Sequence, residues 1–273
     1  MNILDEIAGR TRERVADARK TVPLEEIRAQ AEEAYRKGTA FADGGPKQEA
    51  FAFEKALRSA ETIAFICEVK KASPSKGLIA PDFPFLQIAM DYEKAGAAAI
   101  SCLTEPFYFL GQDAYLREIV QNVSIPVLRK DFTVDEYMIY QARAFGAGAV
   151  LLICSILDDA QLKAYGQLAH ELGLSALVEA HTEEEVTRAM HADAKILGVN
   201  NRNLKTFQVD LGTSARYRKM VPPETIFVSE SGVRDADDIR KLAENGTNAV
   251  LIGETLMRAP DKAAMLNELR SRL

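Results

Sequence analysis

Tryptophan is absent from the chain, and cysteine and histidine are scarce, at three each among 273 residues. Cys67, Cys102 and Cys154 lie far apart, with no CxxC spacing, and each sits in or beside an apolar, strand-like run. They read as buried reduced thiols rather than a disulfide framework or a thiolate metal site. His170, His181 and His191 form no HExxH or comparable ligand set and sit in or beside helix-like polar stretches, which argues against a zinc enzyme and for no metal at all. Positive charge is in deficit: 34 Lys plus Arg stand against 40 Asp plus Glu, a formal net charge of -6. That balance excludes nucleic acid as a main partner but leaves room for a local basic pocket for a small anion. No apolar run approaches the ~20 residues needed to span a bilayer, and MNILDEIAGRTRERVADARK lacks the apolar core of a secretion signal. The protein is expected to be cytoplasmic, with no membrane partner.

What is present suits one large α/β domain spanning residues 1–273. Hydrophobic residues make up 47% and charged residues 27%, enough to bury a substantial core. Residues 1–60 read as a helical extension, with Ile3, Leu4 and Ile7 and then Leu24, Ile27, Ala31 and Ala34 at three- and four-residue spacing. Pro23 suits the first turn of the second helix, and FADGGPKQ, Phe41 to Gln48, marks a loop. From Ile63 onward eight short apolar runs alternate with longer amphipathic ones: TIAFICEV, AAAISCLT, IPVLRK, AVLLICSI, LSALVEA, KILGVN, TIFVSE and NAVLIGE. The runs are almost continuously apolar, as parallel strands covered on both faces require. Gly96, Gly146, Gly148, Gly173 and Gly246 stand where left-handed helix stops are expected. Eight β-then-α units of roughly 26 residues each predict a (β/α)8 barrel, with the extension packed on one end.

In such a barrel the C-terminal strand ends carry the chemistry. Polar residues gather there: Glu68 and Lys70 after the first run, Lys130 after the third, Glu179 after the fifth, Asn200 and Arg202 after the sixth, Glu230 and Ser231 after the seventh. Any one of them reads as a solvated loop residue. Two lysines and three glutamates around one mouth have no use in a packed barrel, so the set reads as functional. SESGV, with Ser231 and Gly232, and LIGET, with Gly253, put small residues after strands seven and eight, the common phosphate site of these barrels. A phosphorylated small-molecule substrate is therefore expected. Glu254 would offer that anion only its backbone N–H, with its carboxylate turned away.

The runs CEVKKASPSKG (Cys67 to Gly77), LRKDF (Leu128 to Phe132), LVEAH, GVNNRNLKTFQVDLGTS, SESGV and LIGETLM together resemble the indole-3-glycerol phosphate synthase family of tryptophan biosynthesis, over nearly the whole chain. The resemblance implies a ring closure free of metal and cofactor. In it, 1-(2-carboxyphenylamino)-1-deoxyribulose 5-phosphate loses carbon dioxide and water to give indole-3-glycerol phosphate. It further implies Lys130 as the general acid on the ribulose carbonyl, Glu179 as the group that handles protons in the dehydration, and Lys70 near the substrate carboxylate. Glu68, Asn200, Arg202, Glu230 and Ser231 match the remaining polar shell, and Ser73, Gly232 and Gly253 the phosphate grip. Phe109, Phe132 and Leu204 resemble the positions that hold the aromatic ring, and SPSKG resembles a mobile loop that closes over substrate.

The chemistry asks for the same residue types. Attack of an aromatic carbon on a ketone builds negative charge on oxygen, and a positioned ammonium typically contributes ~10²- to 10⁴-fold by donating to it. Desolvation, or the neighbouring Lys70, would lower the Lys130 pKa toward that task, while Glu68, Glu179 and Glu230 oppose the fall. Two departures from the family pattern are small: Cys67 in place of a smaller residue, expected to face outward, and Ala180 in LVEAH. Two rival readings stand: a phosphate-handling barrel such as phosphoribosylanthranilate isomerase, which would call for a Cys and Asp pair, and a non-catalytic phosphate-binding barrel. The chain is expected to be a monomer, with weak association to other tryptophan-pathway enzymes left open.

Overall fold

The computed structural model describes residues 3–203 and 206–273. Eight parallel strands close into a barrel, in the order of the chain: β1 (Ala64–Val69), β2 (Ala99–Leu103), β3 (Val127–Lys130), β4 (Ala149–Ile153), β5 (Ser175–Ala180), β6 (Ile196–Asn200), β7 (Ile226–Glu230) and β8 (Ala249–Ile252). Each of the eight apolar runs holds one of them, so the expected (β/α)8 architecture is met. Alternation along each strand divides two cores. Ala64, Ile66, Leu128, Leu151, Leu177, Ile196, Val228 and Leu251 fill the barrel. Phe65, Cys67, Cys102, Val127 and Val150 face the surrounding helices. Cys67 thus points away from Glu68, as its position in the strand requires, and all three cysteines are buried and free.

Helices begin where side chains cap them. Asp135, Thr182, Asp235 and Asp261 each accept a backbone N–H from the first turn, and Asp158 with Gln161 forms a reciprocal capping box. They end at left-handed Gly96, Gly146, Gly173 and Gly246. Gly148 departs from the expected helix stops: it lies in the turn into β4, its N–H bonds Val127 O, and a Cβ there would sit 3.2 Å from the Pro126 Cβ. Its requirement is close approach.

The extension carries α1 (Ile3–Thr21), α2 (Leu24–Lys37) and α3 (Ala52–Arg58). Pro23 stands at the cap position ahead of α2, not inside its first turn. The segment expected to be a loop is instead an antiparallel hairpin, Thr39–Phe41 with Gly44–Lys47. Arg143, buried in the barrel's helical layer, donates to Thr39 O and Gln48 Oε1, fastening this hairpin through polar contacts that apolar periodicity does not register. α1 lies over the mouth of the barrel: its Ile3, Leu4 and Ile7 line the same pocket as the strand ends. A helix at Gly212–Arg218 follows β6 in the stretch that carried no helix signal. Among the described residues, no helix is long and apolar enough to cross a membrane.

Candidate active site

The inward alternation that fills the barrel with Ile and Leu ends, one layer higher, in polar groups. Glu68, Lys130, Glu179, Asn200 and Glu230 occupy the last inward positions of β1, β3, β5, β6 and β7, and Ser101 the inward position before Leu103 on β2. Lys130 Nζ lies 3.3 Å from Glu179 Oε2 and 3.5 Å from Glu230 Oε2. Across the mouth Lys70 is ion-paired with Glu68, which also accepts from Ser101 Oγ at 3.4 Å. Asn200 Nδ2 donates to Glu179 Oε1 at 3.2 Å, while its own Oδ1 accepts the backbone N–H of Arg202. Space for this ring of charge comes from glycine: a Cβ on Gly198 would overlap Glu230, and one on Gly253 would overlap Glu68 and Lys70.

Burial and mutual charge set the protonation of the cluster. Burial works against the Lys130 ammonium, but Glu179, Glu230 and Glu68 outweigh it and hold its pKa above the ordinary lysine range. The competition left open by sequence is thus won by the carboxylates. Burial likewise disfavours the Glu179 carboxylate, yet the charge of Lys130 and the contacts of His181 and Asn200 push its pKa below the usual range. Glu68 is lowered in the same way, its burial opposed by Lys70 and Lys130. Glu230 goes the other way: burial and the neighbouring Glu179 charge, only partly offset by Lys130, raise it to about 8. Its Oε1 is buried and makes no hydrogen bond. A pair of carboxylates with opposed shifts around one ammonium is an arrangement suited to moving protons.

Glu68, Lys70, Ser73, Phe109, Lys130, Phe132, Glu179, Asn200, Arg202, Ser231 and Glu254 line one pocket. Phe109 and Phe132 face each other there at 6.2 Å between ring centroids. Gly232 and Gly253 line an adjoining cavity that shares Lys76, Arg202 and Glu254 with the first. Ser231 and Gly232 are both left-handed, so the chain turns sharply after β7; a non-glycine residue held there costs on the order of 1–3 kcal/mol. Glu254 does not turn away as expected. Its carboxylate lines the mouth, 3.2 Å from Lys76 Nζ, 3.1 Å from Arg258 Nε and 3.9 Å from Arg202 Nη2. Lys76, Arg258 and Arg202, three cations already in place, hold the carboxylate there. Leu204 falls outside the described residues.

Sequence reasoning passed over several residues that build the site. Asn201 saturates its amide, donating to Ser229 Oγ, Glu230 O and Ser231 O and accepting from Ser214, which ties the end of β6 to the turn after β7. Glu105, fully buried, accepts the backbone N–H groups of Phe107, Tyr108 and Phe109, presenting Phe109 to the pocket. Asp131, next to Lys130, takes Arg14 of α1 at 2.7 Å and Thr104 Oγ1 at 2.6 Å. The SPSKG loop contains a short hairpin, Ala72–Ser73 with Gly77–Leu78, that points Lys76 at Glu254. His181, read as a helix-flanking residue, lies partly buried beside Glu179. In sequence the one signal for Asp131 and Asn201 is adjacency, to Lys130 in LRKDF and to Asn200 in GVNNRNL. Among the described residues, no group of three or more His, Cys, Asp or Glu is arranged to hold a metal ion.

Comparison with known proteins places the whole chain. A family model described as indole-3-glycerol phosphate synthase matches residues 4–269. The indole-3-glycerol phosphate synthase of Ruminiclostridium cellulolyticum is 54% identical over 268 residues, covering 98% of each chain. That of Lachnoclostridium phytofermentans is 48% identical over 271 residues, covering 99% of this chain and all of the relative. Among solved structures, the 3-hexulose-6-phosphate synthase of Salmonella typhimurium superposes with a TM-score of 0.64 at 14% identity, over 77% of this chain and 98% of that one. Thiamine phosphate pyrophosphorylase from Pyrococcus furiosus gives 0.58 at 16% identity, over 77% and 94%. At those identities the two structures share the barrel alone.

Proposed function

The chain belongs to the indole-3-glycerol phosphate synthase family, and on that premise we propose that it is a carboxy-lyase closing the indole ring of 1-(2-carboxyphenylamino)-1-deoxyribulose 5-phosphate, with release of carbon dioxide and water. The observation that carries the assignment of roles is the position of Lys130, an ammonium at the floor of the pocket within 3.5 Å of both Glu179 and Glu230.

The phosphate is gripped in the cavity lined by Gly232 and Gly253, where Arg202 and Lys76 supply positive charge; Ser73 and Ser231 border it from the main pocket. The aromatic ring lies in the apolar slot of Phe109 and Phe132, and Lys70 receives its carboxylate. In this pose the ketone oxygen meets Lys130. As the ring carbon attacks, charge develops on that oxygen, and Lys130 donates its proton there, having been kept charged by the surrounding carboxylates. Carbon dioxide then leaves the ring carbon that formed the bond. The neutral Lys130 amine regains a proton from solvent and donates it to the hydroxyl, which departs as water, while Glu179, held ionised, takes a proton from the adjacent methylene carbon, so that the ring double bond forms and the nitrogen keeps its hydrogen; Glu179 then returns that proton to Lys130, 3.3 Å away. Glu179 and Glu68, both held ionised, keep Lys130 charged, Glu68 also pairs with Lys70, and Asn200 orients Glu179. In this reading the chain acts as a one-domain monomer in the cytoplasm.

Incubation with this substrate in the presence of a chelator tests the assignment, because a chain without tryptophan gives no background to indole emission. Growth of the indole signal is expected. A flat trace with measurable substrate binding would instead favour the non-catalytic phosphate-binding barrel.

A further inference from the structure

His181 sits in the turn between β5 and the helix Glu183–His191, and it does not line the substrate pocket. Its side chain is only 12% exposed, yet both ring nitrogens face carboxylates on different elements: Nε2 is 3.1 Å from Glu179 Oε1 of β5, and Nδ1 is 3.4 Å from Glu185 Oε2 of the helix. Neither nitrogen has a directed hydrogen-bond partner, so these close approaches become ion pairs when the ring is an imidazolium. Glu185 is itself fixed. Its carboxylate accepts the His181 backbone N–H at 2.7 Å, and its own N–H donates to the Thr182 cap at 3.2 Å.

We infer that His181 is a positioning residue for Glu179, an imidazolium clamp that ties the carboxylate to the start of the following helix and keeps it ionised and in reach of Lys130. This rests on the proton-handling role proposed for Glu179. The buried Glu179 and the partly buried Glu185 flank the ring, and a cation between them removes their repulsion, whereas a neutral side chain would leave Glu179 with Lys130 as its one strong counter-charge on that side of the mouth. The charged groups around the clamp are few. Glu179 and Glu185 touch it, Lys130 and Glu230 lie beyond Glu179, and Arg188, one turn along the helix, is engaged by Asp159 and by the Cys154 and Leu157 carbonyls. The Cys154 thiol packed on Glu185 O is pushed up by burial to about 12 and stays neutral. Burial opposes the imidazolium, but Glu179 and Glu185 prevail and raise His181 to about 10.

His181→Gln and Glu179→Gln test the clamp, compared for kcat, KM and the pH dependence of kcat. In His181→Gln, kcat should fall about tenfold or more with KM within about threefold, and the acid limb of the profile should move up by about one pH unit. Unchanged kcat and an unchanged acid limb in His181→Gln, beside an inactive Glu179→Gln, would overturn the clamp alone. A fully active Glu179→Gln would overturn the role of Glu179 itself. Because the chain has only three histidines, imidazole nitrogen NMR gives a readout that needs no folded variant of His181. The wild-type ring should remain an imidazolium at about pH 8, where a free histidine is neutral. A neutral wild-type ring at that pH would overturn the proposal.

Discussion

Gly198 of β6 lies against the carboxylate of Glu230 on β7 so closely that a Cβ would take the place of Glu230 Oε1. Hydrogen at that position is what allows a carboxylate into the barrel layer beneath Lys130. Gly198→Ala should therefore displace Glu230, destabilise the fold by about 1–3 kcal/mol through overpacking, and lower kcat at least tenfold. Denaturant unfolding together with turnover checks both. An alanine variant with wild-type kcat would mean that the location of Glu230 does not matter to the reaction.

Glu230 also gives a pH signature. Its pKa is raised in the folded protein to about 8, through burial and Glu179. A raised carboxyl contributes stability that is fully present below its unfolded value of about 4.3 and is lost as pH rises through about 8. Glu230→Gln removes that dependence. Relative to wild type, the glutamine variant should gain stability from about pH 4.3 to about pH 8 and level off above that, as read by unfolding midpoints. A constant difference across that range would show that Glu230 ionises normally.

Arg14 couples the extension to the catalytic layer through Asp131, which is flanked in sequence by Lys130 and Phe132. Arg129 approaches Asp131 only to 3.7 Å, so it replaces Arg14 incompletely. Loss of a charged hydrogen bond to a buried carboxylate costs about 1.5–3 kcal/mol, and Arg14→Ala should lose that much stability. Its kcat should fall with the aim of Lys130. Unaltered stability and rate would reduce α1 to a passive cover.

The barrel was legible because its signal is local. Strand runs such as TIFVSE and helix runs such as DAYLREIVQN carry their period within a few residues, and each maps onto one element. The catalytic layer was legible for a related reason: Glu68, Lys130, Glu179 and Glu230 are polar residues at the last inward position of otherwise apolar strands. His181, Asn201, Glu105 and Arg14 were not, since each acts through a partner outside its own turn of chain or through backbone groups. The Thr39–Lys47 hairpin escaped because its second strand, GGPK, has no β-forming side chains; it is held by Arg143, and its Phe41 is buried in the core. Glu254 was misjudged because electrostatics was weighed against the anion alone, without Lys76 and Arg258.

Ring closure depends on the proton that Lys130 supplies. The most direct measurement is kcat alongside substrate affinity for Lys130→Ala, followed by indole emission. Turnover should fall by about 10²-fold or more with affinity within an order of magnitude, because the interaction is made in the transition state. Near-wild-type turnover in Lys130→Ala would contradict it.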